Sequence, residues 1–109
     1  MGSDTNLVSD AFKTFLTSAP AHAAAWSEAV QALVKASALD AKARELAYIA
    51  VLAALNRVSG IPFHVASAKK LGATREEVIS AILVGLPAAG HVVTQALPAA
   101  IGAYDDEQI

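Results

Sequence analysis

The chain has 109 residues, 55% of them hydrophobic, with eight Lys and Arg against ten Asp and Glu and no cysteine. That length and hydrophobicity fit one folded domain, residues 1–109, and exclude disorder. The near-balanced charge without a basic cluster excludes nucleic-acid binding by counterion release, and the missing cysteines exclude disulfides, thiolate metal sites and thiol redox chemistry.

Charged residues make up 17% of the chain. A small domain has much surface per residue and should carry about a quarter or more. A homo-oligomer is therefore expected, with part of each surface covered by other copies.

The elements read as helix throughout. Ala-, Leu-, Lys- and Glu-rich runs favour helix, and sustained strand-type alternation is missing, so the fold class is all-α with about six helices. The first spans about Thr5 to Thr17 and stops at Ser18-Ala19-Pro20. The second spans about Ala21 to Ser37, with Trp26, Val30, Leu33 and Val34 as its apolar stripe. The third starts after Asp40, a good N-cap, and runs to about Asn56. After the loop Arg57-Val58-Ser59-Gly60, the fourth opens at Ile61-Pro62, where proline suits a first turn, and ends at Leu71-Gly72. Thr74-Arg75-Glu76-Glu77 reads as a capping box opening the fifth helix, to about Leu83. The sixth is expected as one helix from about Pro87 to Ala103, bent at Pro98, with a frayed tail from Asp105 to Ile109.

The uncharged run from Val78 to Tyr104 is long enough to span a bilayer. Gly85, Pro87, Gly90, Pro98 and Gly102 interrupt it, and no Lys or Arg stop-transfer flank follows, so a subunit-covered helix pair is expected instead of a membrane span. Residues Met1 to Asn6 have neither a basic nor an apolar signal region; a cytoplasmic location is expected.

Two polar residues sit on apolar stripes. Glu45 shares a face of the third helix with Tyr48, Ile49, Leu52 and Asn56, while Lys42 and Arg44 cluster beside the cap. His64 is in register with Ile61, Val65, Ala68 and Leu71, with Lys69 and Lys70 on the side expected to be solvated. Each admits two readings: a rim or core residue satisfied by hydrogen bonding, or a proton carrier. His22 is expected at the surface or an interface. His91 follows Gly90 and is a candidate pocket residue without an evident partner. The spacing of the three histidines is not that of a metal site.

Lys42-Ala43-Arg44-Glu45-Leu46-Ala47, then His64-Val65-Ala66-Ser67-Ala68, then Leu71-Gly72-Ala73-Thr74-Arg75-Glu76-Glu77-Val78 resembles the carboxymuconolactone decarboxylase and alkylhydroperoxidase D-like superfamily, over roughly Leu39 to Ala103. The peroxidase-like branch carries two cysteines before the histidine. Counting back from His64, those positions fall on Gly60 and Arg57, and the associated Glu falls on Glu45. The chain thus resembles a cysteine-free member, without the nucleophile for peroxidase or disulfide-reductase activity. The resemblance implies a helical-hairpin core, a trimer or hexamer, and a cofactor-independent, lyase-type enzyme acting on a carboxylated or lactone-like small molecule. His64 would be the general acid or base and Glu45 its orienting or relaying partner. Arg57, Ser59 and His91 are the candidate substrate-binding residues; Arg57 serves equally well as a cation ending the third helix. The alternative is a non-catalytic oligomeric binding or scaffold protein that keeps the fold.

The resemblance and simple geometry pull apart at one place. Glu45 lies eleven residues before Asn56, about 16 Å down its helix, and His64 three after Ile61, about 4.5 Å down its own. A plain hairpin offsets the two by roughly 12 Å, whereas the resemblance implies contact within one hydrogen bond or one water, reached by a steep helix crossing.

Overall fold

The fold is given by a computed structural model, which describes residues 7–107. Among these residues every regular element is helical. The order is α1 Asp10–Ser18, α2 Pro20–Ala36, α3 Ala41–Ala54, a 3₁₀ turn Val58–Gly60, α4 Ile61–Lys70, α5 Arg75–Leu83, the short α6 Leu86–Ala89, a 3₁₀ segment Gly90–Ala96, and α7 Leu97–Asp105.

Local chemistry sets most boundaries. Ser9 caps α1 by accepting the Phe12 N–H at 3.2 Å, so this helix starts at Asp10. Thr5 and Asn6, like the last two residues of the tail, lie outside the described residues. Pro20 opens α2, and Asp40 caps α3 through the Ala43 N–H at 2.8 Å. Gly72 takes φ +95° behind α4, a left-handed conformation that glycine adopts without a Cβ penalty. The capping box at α5 is complete: Thr74 Oγ1 accepts the Glu77 N–H at 3.0 Å, and Glu77 Oε1 accepts the Thr74 N–H at 2.9 Å.

The expected single helix from Pro87 to Ala103 is not formed. Gly90, at φ +81°, breaks it after α6, and a 3₁₀ stretch leads to α7, which Pro98 opens within its first turn. A proline deeper in a continuous helix would forfeit a backbone bond and clash with the preceding turn. The run Arg75–Asp105 is long and apolar enough to cross a membrane, with a mean hydropathy of 1.6 over an 18-residue stretch within it. As one helix its ends would stand about 45 Å apart. Instead it folds back on itself, and its ends meet in the ion pair between Arg75 Nε and Asp105 Oδ1 at 3.0 Å.

The core lies between α3, α4, α5, α7 and the 3₁₀ segment. Ile49, Ile61, Val65, Ile82 and Val93 are fully buried there, with Ala53, Ala68, Ala96 and Ala100 where helices approach closely. Each of the five larger side chains contributes about 1.5–3 kcal/mol by burial. Lys69 was expected to be solvated, but it packs onto α7: Nζ donates to the Tyr104 carbonyl at 2.6 Å and lies 4.9 Å from the Tyr104 ring centre. The Tyr104 hydroxyl in turn donates to the Ala73 carbonyl at 2.8 Å. The paired α1 and α2 form an arm beside this body, with Ala23 their one buried residue.

Candidate active site

The α3–α4 hairpin brings Glu45 and His64 together. His64 Nδ1 and Glu45 Oε1 are 2.8 Å apart, and both side chains are about a quarter exposed, at 23% and 24%. The 12 Å offset of the plain hairpin disappears because the connection doubles back along α3 instead of extending past its end. Asn56 adopts φ +56°, a left-handed turn that asparagine tolerates. The Arg57 N–H then donates to the Leu52 carbonyl at 2.8 Å, and Gly60 lies so close to Leu52 that an added Cβ would meet its Cδ1 at 3.3 Å. Gly60 therefore starts α4 level with Leu52. Leu52 is seven residues past Glu45 and Gly60 four before His64, distances of about 10.5 and 6 Å along the two axes. The remaining few ångströms lie within the reach of two long side chains.

Tyr48, one turn beyond Glu45, stacks on the imidazole with ring centres 4.2 Å apart and planes 21° from parallel. Phe63 meets the same ring edge-on at 5.3 Å. The imidazole is thus fixed on its edge by Glu45 and on its face by Tyr48. A carboxylate only accepts hydrogen bonds, so Nδ1 donates, and in the neutral ring Nε2 is left with a lone pair. Nε2 has no hydrogen-bond partner among the described residues.

His64 lines a half-open cavity of about 730 Å³ between the body and the arm, within the range of small-molecule sites. Tyr48, Phe63, Ser59 and Arg44 form its body side; Phe12, Trp26, Val30 and Leu33 contribute from the arm. Of the residues expected to bind substrate, the structure brings Ser59 to this cavity. Arg57 and His91 are exposed and outside its lining. Arg57 is instead part of the turn, its carbonyl accepting the Gly60 N–H at 3.2 Å. The His91 carbonyl accepts the Thr94 hydroxyl at 2.8 Å, and His22 is exposed on α2.

Arg44 and Tyr48 were not singled out from the sequence. Their signal was present, since they are four apart and so share a helix face, but Arg44 read only as a charge clustered with Lys42 beside the cap. Another, shallower groove of about 460 Å³ runs between α3 and α5, past Ala47, Ala50, Ser80 and Val84.

The model of the carboxymuconolactone decarboxylase family matches residues 20–101, well over half of the chain. A comparison with curated proteins returns no match. Among solved structures, the chain is similar to apo-lpg0406, a carboxymuconolactone decarboxylase family protein from Legionella pneumophila, with 26% identity, a TM-score of 0.78, and 97% of each chain covered. The matched span holds the whole Glu45–His64 hairpin and the helices that bury its inner face, and on that match the chain belongs to the carboxymuconolactone decarboxylase family.

Proposed function

We propose that the protein is a cofactor-independent small-molecule enzyme that moves a proton with the Glu45–His64 pair on a carboxylated or lactone-like substrate. One observation carries the reading: a histidine oriented by a carboxylate at 2.8 Å, in the wall of an open cavity and not sealed in the core. Nε2 takes a proton from a carbon beside the substrate carbonyl, or returns one to the carbanion left by loss of carbon dioxide. Glu45 holds the ring and stabilises the imidazolium formed in between. Ser59 offers a hydroxyl to the substrate. Thiol peroxidase chemistry is outside this repertoire, because the chain has no cysteine.

The test is turnover of a panel of carboxylated lactones, followed by carbon dioxide release and lactone absorbance. His64→Gln should lower kcat by about 100-fold or more, and Glu45→Gln should also lower it, both without loss of helicity. Equal rates in wild type and His64→Gln would remove the relay. Silence across the whole panel would favour the non-catalytic scaffold.

The working form in this proposal is a cytoplasmic homo-oligomer, a trimer or hexamer, without a membrane or nucleic-acid partner. Support comes from the large apolar side chains left exposed in the single chain, chief among them Leu33 at 70%, Val84 at 68% and Leu55 at 62%.

A further inference from the structure

We infer that the cavity beside His64 selects a molecule bearing a single carboxylate on an apolar body, and that Arg44 reads the carboxylate. The inference rests on the acid–base reading above for where the substrate sits; it adds which substrates enter, and with the one carboxylate anchored at Arg44 it goes with proton abstraction beside the carbonyl and not with loss of carbon dioxide.

The lining is unequal in character. Phe12, Trp26, Val30, Leu33, Tyr48 and Phe63 present apolar and aromatic surface, and the polar groups beside them are a few serines, His64 and Arg44. Neither Asp nor Glu is among the lining residues. Arg44 is therefore the one permanently charged group of the lining; Glu45, bonded to His64 Nδ1 at 2.8 Å, is outside it.

Its bonding leaves it available. Nη1 donates to the Leu39 carbonyl at 3.1 Å. That uses one of five N–H donors, and Arg44 has no ion-pair partner among the described residues. Two other cations of the body are committed: Lys42 to Glu77 at 3.1 Å and Arg75 to Asp105 at 3.0 Å. A half-buried guanidinium facing apolar surface gains most from a planar anion that it can hold by two parallel bonds. A second carboxylate on the ligand would meet apolar wall and lose its hydration uncompensated.

Position links this charge to the chemistry. Arg44 lies one turn before Tyr48 on α3, and Tyr48 stacks on His64. A carboxylate held at Arg44 therefore lays the rest of the molecule along the tyrosine toward the imidazole.

The experiment uses Trp26, the single tryptophan of the chain, as a reporter within the cavity wall. Its emission is followed while octanoate, 1-octanol and octanedioate are titrated into the full-length protein. Octanoate should bind about tenfold or more tighter than either of the others, the margin of a charge-assisted hydrogen bond. Arg44→Gln should erase the preference of octanoate over octanol and leave octanol binding unchanged. Arg44→Lys, which keeps the charge but not the planar fork, should retain part of that preference and guards against misfolding of the glutamine variant. His64→Gln should keep the preference of octanoate over octanol whatever it does to either affinity, which separates this inference from the acid–base reading: turnover can vanish while selection survives, and the reverse. Equal affinities for the three probes, or a preference that survives Arg44→Gln, would overturn it. So would emission that responds to protein concentration but to none of the probes, which would assign the cavity to a second copy of the chain.

Discussion

The arm, α1–α2, and the body, α3–α7, are both built of helices with apolar stripes, and they end in opposite states. In the body the apolar stripes converge, and Ile49, Ile61, Val65, Ile82 and Val93 are fully buried. In the arm Trp26 is 53% exposed, and Phe12, Leu16, Val30 and Val34 are exposed with it. An apolar stripe specifies that a face is to be covered; it does not specify by what. The body covers its own stripes, whereas the arm offers its stripe to the cavity above His64 and, in the oligomer proposed here, to neighbouring copies.

The contrast is sharpest under truncation. Ile82→Ala in the body should cost about 2–5 kcal/mol, as a cavity in a packed core does, read as a lower urea midpoint at unchanged protein concentration. Leu33→Asp on the arm should leave the far-ultraviolet helical signal in place and shift the light-scattering mass toward a single 11.2 kDa chain. If Leu33→Asp unfolds the chain while Ile82→Ala is tolerated, the division into a self-sufficient body and a partner-dependent arm is wrong.

Smaller effects lie at the rim of the body. Thr74→Ala removes the N-cap of α5 and should cost about 1 kcal/mol in the same denaturation assay. The weakest effect is electrostatic. The Thr74 N–H, with help from Lys42, holds the Glu77 carboxyl below its ordinary value, and the Arg75 guanidinium does the same for Asp105. A carboxyl with a depressed pKa in the fold binds its proton less readily there than in the unfolded chain. Its stabilisation is present above the ordinary carboxylate range and is lost as pH falls through the lower folded value. Melting temperature should therefore fall on acidification through that range. Added salt should blunt the change, since both pairs are exposed and screened. A melting temperature flat from neutral pH down through the carboxylate range would show that neither pair contributes.

Much of the helical framework was legible in the residues themselves. Asp40, Pro62, Gly72 and the Thr74–Glu77 box act within a few residues of their own positions, so caps and breaks read from sequence coincide with the helix ends found. The Glu45 and His64 stripes were legible for the same reason. The segment from Pro87 to Ala103 was not, because helix propensity does not register that Gly90 takes a left-handed φ there and that α7 starts afresh at Leu97–Pro98.

What only tertiary structure decided is the meeting of Glu45 with His64. Spacing along two straight helices separates them by about 12 Å; the left-handed Asn56 and the seating of Gly60 against Leu52 bring them to 2.8 Å. The cavity was likewise beyond the sequence, because its wall joins Trp26 and Leu33 of the arm to Arg44, Tyr48 and Phe63 of the body. Local chemistry along the chain determines where each helix starts and which face is apolar. Which faces meet, and which charge is left unpaired beside the histidine, depends on long-range packing that no local pattern encodes.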